Sequence, residues 1–430
     1  MKTILLINAT QYVNTEVSVA GWVASLRSSG KIVFIQLRDG TGYAQAVIVK
    51  GQVSDADFSL AKALTQESSV QITGTLKTEP RSPSGFEIAV SAISLISGSI
   101  DYPIGNKDHG PSFLLDNRHL WLRSPKQRAI QIIRNEIINA IFEYYRLNNF
   151  VKIDTPILTP NACEGTTTLF EVDYFGQPSY LSQSGQLYLE AAIFAVGRGF
   201  DFAPVFRAEK SKTRRHLIEF WMTDAEAAFV KHAENLQIQE GLVTHVITRI
   251  LANCQDHFKT LERDTSQLAS IKAPFQRLSY KDAMKMVKDM GSATQMGSDL
   301  GAEDETLLMN HFKAPVFVEY FPAAVKAFYM KRHPDDNSQA LCADLLAPEG
   351  YGEIIGGSQR EDDYDTLLAS IKAHHLPVDE FNWYLDLRRF GSVPHSGFGL
   401  GLERLVAWVC GLKHVREAIP FPRLINRMKP

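Results

Sequence analysis

The chain has 430 residues, 45% of them apolar and 22% charged, with a formal net charge of -3. Ordinary domains run to about 100–200 residues, so this length predicts two, and the composition excludes a disordered or fibrous chain. The charge excludes a protein that coats nucleic acid non-specifically, so any RNA contact has to be local. Basic stretches lie at Arg118 to Arg134, Arg207 to Arg215 and Arg423 to Lys429, although a charge run is by default a solvated face. Cys163, Cys254, Cys342 and Cys410 are far apart with no C-x-x-C spacing, which argues against a disulfide framework or a zinc site. The run Ile4 to Ile7 is shorter than a signal peptide's apolar region of about 7–15 residues, and no stretch approaches a membrane span. A cytoplasmic address and no membrane partner are expected.

In chain order, VSVAGWVASL, KIVFIQLRD, AQAVIVK, SSVQITGTLK and FEIAVSAISL alternate apolar and polar residues between Glu16 and Leu95, with turn signals at Asp39-Gly40-Thr41-Gly42 and from Pro80 to Gly85. Five short strands predict a small barrel of the OB-fold type. We assign residues 1–100 to it, with the boundary near Asp101. A connector rich in Gly, Pro and Asp then covers 101–115, and the second domain spans 116–430. Its first element is a helix from Pro125 to Leu147, where Ile130, Ile133, Ile137, Ile138 and Ile141 recur at helical spacing and bury one face. Strands and helices follow without the rhythm of a doubly wound sheet, so the fold class expected is α+β.

Three later segments carry candidate chemistry. In FRAEKSKTRRHLIEFWMTDAE, two β-like stretches flank a cationic loop; Arg207, Glu209 and Phe220 could offer a nucleotide a cationic hydrogen-bond donor for its phosphates, an acceptor for the adenine amine and a face for the base. Alone, the segment reads equally as a hairpin with a solvated basic tip. PHSGFGLGLERLVAWVCG is a glycine-rich turn running into an amphipathic helix that begins near Arg404. It is not a P-loop, and Leu402 breaks G-x-G-x-x-G; it could serve ligand approach or simply close packing of a helix on a sheet. In ADLLAPEGYGEIIGGSQRE, Asp344 and Glu353 flank a turn. Two carboxylates beside a polyphosphate suit magnesium, which prefers oxygen ligands, yet a hairpin with surface acids is as good a reading.

Together and in this order the segments resemble the class II aminoacyl-tRNA synthetases, in the subgroup with an N-terminal OB-fold that handles aspartate, asparagine and lysine. The family's first motif resembles Ile130 to Ile153, ending in Asp154-Thr155-Pro156; its second resembles Phe206 to Glu226 and its third Gly397 to Leu405. The resemblance implies an antiparallel sheet flanked by helices, a homodimer built through the first motif, and bent ATP. It implies Arg207 on the α-phosphate, Glu209 on the adenine amine, Phe220 stacked on the ring, and Arg404 with His216 on the γ-phosphate, Arg215 also lying in the ATP site. Arg207 and Arg404 would be the catalytic cations, and Asp344 and Glu353 would bind Mg2+, with Gly356 standing where many aspartyl relatives have a serine ligand. In the barrel the resemblance implies that Phe34 stacks on an anticodon base, with Arg27 and Gln45 reading the central uridine. By alternation alone Phe34 belongs to the barrel core.

The segment LSQSGQLYLE bears on the amino acid. Aspartate-specific relatives carry a lysine where this chain has Leu189, so a cation is missing from the side-chain pocket. Glu219 and Arg360 are expected to face that pocket, the first accepting from a carboxamide NH2 and the second donating to its oxygen. Asp224 would hold the α-amino group, with Ser182 and Gln186 nearby. The resemblance therefore implies activation of L-asparagine with ATP and its transfer to tRNA(Asn). An aspartyl enzyme, possibly one that accepts both tRNAs, is the competing reading.

Overall fold

The computed structural model describes residues 2–82, 84–105, 107–160, 163, 169–210 and 213–430. Two compact units make up the chain, Met1–His109 and Gly110–Pro430. The division thus falls within the stretch read as a connector and later than Asp101.

The first unit follows from period-two patterning. Strands β1 (Glu16–Ser29), β2 (Ile32–Arg38), β3 (Tyr43–Val49), β4 (Ser69–Thr78) and β5 (Phe86–Ser97) are the five expected ones. They pair in the order β1-β2-β3-β5-β4, and β4 pairs back onto β1 to close the barrel. Only β3 and β5 run parallel among these five. Inward residues such as Val17, Val19, Val33, Ile35, Leu37, Ile48 and Ile72 are fully buried, as alternation over a closed sheet requires. Gly74 permits the closest approach of β4 and β5, because a Cβ there would lie 2.2 Å from the Ala89 carbonyl oxygen. Three elements were not anticipated: Lys2–Thr3 adds parallel to β1, a 3-10 helix spans Leu6–Tyr12, and helix α1 (Asp55–Ala63) lies between β3 and β4. Ser54 caps α1 by accepting from the Asp57 amide at 3.0 Å.

The second unit opens with a short helix, Pro111–Asp116, then α2 (Pro125–Leu147), which begins and ends where isoleucine periodicity places it. Ser124 caps it and Pro125 takes the first turn. Ile130, Ile133, Ile137 and Ile141 are buried in the main core, against helices α4 (His232–Asn253) and α6 (Leu402–Cys410), which are also part of that cluster. This isoleucine face is internal core.

The sheet of this unit runs β10 (Gln276–Ser279), β11 (Val316–Glu319), β12 (Cys342–Ala347), β13 (Gly352–Gln359), β14 (His395–Gly401), β9 (Glu219–Ala228), β7 (Arg198–Phe200), β6 (Val151–Lys152), with β8 (Ala203–Phe206) paired to β9. Its centre is antiparallel, while β10–β11 and β6–β7 at the ends are parallel. Helices α3 (Gln186–Val196) and α5 (Asn382–Arg389) complete the elements that position the site. The architecture is α+β, an OB-type barrel followed by a sheet flanked by helices. All four cysteines are buried. Among the described residues no helix is long and apolar enough to cross a membrane.

Candidate active site

A cavity of about 510 Å³ lies on the antiparallel centre of the sheet, bordered by β9, β12, β13, β14 and the start of α6. Strand β9 explains much of it. Successive strand residues face opposite sides, so Phe220, Met222, Asp224 and Glu226 share one face, and the first three line the cavity. Trp221, Ala225 and Ala227 belong to the other face and pack into the core behind it.

The glycine-rich segment is strand, not turn. β14 runs antiparallel between β9 and β13, with Gly397 opposite Glu226 and Gly399 opposite Asp224. A Cβ on Gly397 would lie 2.0 Å from Glu226 Oε1, and one on Gly399 would lie 2.6 Å from Asp224 Oδ1. The glycines make room for two carboxylates.

At one end of the cavity Arg207, Glu209, Arg215, His216, Phe220, Glu353 and Arg404 come together. The Arg207 guanidinium sits 5.5 Å from the Phe220 ring centroid, which places a cation beside an aromatic face. Arg404 Nη1 donates to Glu353 Oε2 at 2.8 Å and to the Glu353 carbonyl at 3.0 Å. Arg215 is buried and already engaged with Glu305 at 2.7 Å, with the Gly350 carbonyl at 2.5 Å and with Thr306; it braces this wall of the site. His216 is paired with Thr213, and burial, then Arg404, holds its pKa below the usual imidazole value. At neutral pH it therefore enters as an uncharged ring.

Asp344 and Glu353 lie on β12 and β13, whose register sets Asp344 opposite Gly356. A Cβ at Gly356 would fall 3.0 Å from Glu353 Oε1 and 3.6 Å from Asp344 Oδ1, so the two carboxylates converge on open space. Magnesium commonly takes one or two carboxylates and completes its shell with phosphate oxygens and water, and this donor set fits that chemistry. Among the described residues no group of three or more His, Cys, Asp or Glu converges as a self-sufficient metal site. Lys326, not anticipated, balances the acids: its Nζ is 2.9 Å from Asp344 Oδ2 and 3.3 Å from Asp299 Oδ1. Burial, opposed by Lys326, pushes the Asp344 carboxyl up from its ordinary range.

At the other end Asp224 Oδ2 accepts from Ser184 Oγ at 2.8 Å and from the Gly185 amide at 2.9 Å. Gln186 and Arg360 line the same region. Arg360 Nε lies 3.2 Å from both oxygens of Glu226, Nη2 is bonded to Glu226 as well, and Nη1 donates to Ser358 Oγ at 2.7 Å. Burial alone would lower the Arg360 pKa, but Glu226, then Glu190, outweighs it and holds the guanidinium above its ordinary value.

Three expected site residues are displaced by this geometry. Glu219 has the wrong strand parity: it pairs with Phe206 and bridges to Arg423, off the cavity, and Glu226 is the carboxylate that meets Arg360. Ser182 turns its hydroxyl to the Ser184 carbonyl at 2.8 Å, and Ser184 reaches the cavity instead. Leu189 is fully buried, with its Cδ2 3.6 Å from where a Cβ of Gly199 would lie; it is core packing between α3 and β7. Counting in twos from Phe220 would have found Glu226.

In the barrel, Phe34 is half-exposed while its neighbours Val33 and Ile35 are fully buried, so the aromatic lies outside the core. Arg27 is its cross-strand partner, with the guanidinium 4.6 Å from the ring centroid. Gln45, one strand further, donates to Glu87 Oε2 at 3.2 Å. All three expected residues share one outer face.

The family model for class II tRNA synthetases (D, K and N) matches residues 110–425. The chain belongs to this family. The model for an OB-fold nucleic acid binding domain matches residues 17–96 of this class II synthetase. Among solved structures it is similar to asparaginyl-tRNA synthetase from Pyrococcus horikoshii complexed with asparaginyl-adenylate, at 44% identity and a TM-score of 0.95, covering 98% of this chain and 97% of that one. It is also similar to asparaginyl-tRNA synthetase from Entamoeba histolytica, at 34% and 0.91, covering 100% and 99%. Aspartyl-tRNA synthetase from the same organism matches at 26% and 0.82, covering 98% and 91%.

Proposed function

We propose that this synthetase is an asparagine–tRNA ligase, which forms asparaginyl-adenylate and pyrophosphate from L-asparagine and ATP and passes the asparaginyl group to the 3′-terminal adenosine of tRNA(Asn). The observation that carries this reading is the pair formed by Arg360, which lines the cavity, and the fully buried Glu226. It offers a donor and an acceptor side by side, the complement of a carboxamide. An aspartate carboxylate there would face Glu226. At about 4 Å and an effective dielectric near 20, two like charges repel by roughly 4 kcal/mol, about a thousandfold in rate before Arg360 offsets part of it. The identities of 44% and 34% to asparaginyl enzymes, against 26% to an aspartyl one, point the same way.

The rest of the cavity suits adenylate formation. Asp224, braced by Ser184 and Gly185, is placed to take the α-ammonium and orient the substrate carboxylate. Arg207 is then the donor for the α-phosphate under attack, beside the Phe220 ring on which adenine stacks. Arg404, with His216, faces the departing pyrophosphate. Such a reaction needs little proton transfer by side chains and depends on fixed positive charge where negative charge develops. Asp344 and Glu353 would hold Mg2+, which when bound adds charge neutralisation to the phosphates. The outer face of Arg27, Phe34 and Gln45 is the proposed anticodon surface. A homodimer through the first motif would use exposed apolar residues such as Leu147, Val151, Ile157 and Leu158, since the isoleucine face is internal.

ATP–pyrophosphate exchange with each amino acid tests the assignment. Exchange driven by asparagine is expected, and exchange driven by aspartate alone would sink it.

A further inference from the structure

Behind the amino-acid end of the cavity lies a second charge cluster that the proposed chemistry does not use. Glu190, one turn along α3 from the cavity residue Gln186, is fully buried. Its Oε2 accepts from Tyr384 Oη at 2.7 Å and Arg388 Nη2 at 2.8 Å, both on α5, and lies 2.9 Å from His395 Nε2 on β14. Its Oε1 accepts from Gln186 Nε2 at 3.1 Å and Tyr384 Oη at 2.8 Å. Arg388 and His395 have fully buried side chains, and His395 Nδ1 faces the Val393 carbonyl at 2.8 Å. Burial alone would raise the Glu190 carboxyl, but Arg388, His395 and then Arg360 hold it well below its usual range.

Buried ion pairs contribute little to stability compared with apolar residues of similar volume, because desolvation offsets their attraction. The location of this cluster therefore matters more than its strength. Without Glu190, Arg388 would stand behind Gln186 and Arg360 as an uncompensated buried cation, and a substrate carboxylate is what such a cation attracts.

We propose that Glu190 is a specificity-setting positioning residue: it neutralises Arg388 behind the amino-acid pocket and orients Gln186 at its wall, so that the counter-charge this wall presents to a substrate side chain is Arg360, already paired with Glu226. This rests on the asparagine reading. The argument concerns the change in charge, so it makes predictions of opposite sign for the two partners. Glu190→Gln keeps the shape and removes one negative charge; Arg388→Gln removes one positive charge. Tyr384→Phe removes a hydrogen bond from the same carboxylate and leaves the charge intact.

The readout is the ratio of kcat/KM for aspartate to that for asparagine in ATP–pyrophosphate exchange by the full-length protein, a ratio that loss of folded enzyme does not move. Glu190→Gln is expected to raise it at least about tenfold, as one unit charge acting over several ångströms at a dielectric near 20 would do. Arg388→Gln is expected to lower it, and Tyr384→Phe to leave it within about twofold. A ratio unchanged in Glu190→Gln overturns the proposal. If that variant does not fold, Arg388→Gln decides, and a ratio that rises or stays constant there overturns it. The parent protein separates the two readings: if it exchanges with aspartate and not asparagine, the functional assignment fails first, whereas an asparagine-specific parent with an indifferent Glu190→Gln defeats only this inference.

Discussion

Gly397 lies directly opposite Glu226 across the β9–β14 ladder, where a Cβ would fall 2.0 Å from the Glu226 carboxylate. The carboxylate that meets Arg360 therefore depends on a missing side chain one strand away. Gly397→Ala should push Glu226 off Arg360 and cost about 1–3 kcal/mol through overpacking. Asparagine-driven exchange should fall at least about a hundredfold, more than that stability loss explains at temperatures well below melting. A thermal melt beside the exchange assay checks both, and normal exchange in this variant would remove Glu226 from the pocket argument.

Arg404 is the cation on Glu353 and borders the phosphate end of the cavity. Arg404→Ala should reduce exchange by about 10²–10³, the usual cost of losing one preorganised donor to developing charge. The ion pair is only partly buried, so the melting temperature should change little. A variant that retains exchange refutes the role given to Arg404.

Leu189 marks where the structure alters an expectation. A lysine at this fully buried position puts an ammonium into the packing between α3 and β7. Leu189→Lys should thus destabilise the fold by about 3 kcal/mol or more. Denaturant unfolding measures this. A variant as stable as the parent, with altered amino-acid preference, would restore Leu189 to the pocket.

Phe34 lies outside the barrel core, with Arg27 against it. Phe34→Ala should leave ATP–pyrophosphate exchange intact and reduce kcat/KM for tRNA aminoacylation by the equivalent of about 1–3 kcal/mol, the value of one base stacked on an aromatic ring. Equal loss in both assays would mean that the residue serves the fold instead.

Much of this was legible in the sequence for identifiable reasons. Alternation over β1 to β5 and isoleucines at helical spacing in α2 are local signals, each satisfied by one element. Residues 55–63 escaped notice because α1 buries only Phe58 and Ala61, too few to show a helical period. The site was legible as residue types and only partly as geometry. Glu219 and Glu226 both carry carboxylates on β9, and choosing between them requires the strand's phase, which Phe220 and Asp224 already set. The glycines of β14 read as a turn because their purpose lies in side chains on β9. Lys326 and Glu190 were missed because their partners, Asp344 and Arg388, lie elsewhere in the sequence and meet them only in the folded chain.

The most direct measurement is a competition within one active site. Incubate the purified protein with ATP and equal concentrations of asparagine and aspartate, then identify the bound adenylate by mass spectrometry. The proposed asparagine reading predicts asparaginyl-adenylate in large excess; aspartyl-adenylate as the main species would contradict the account.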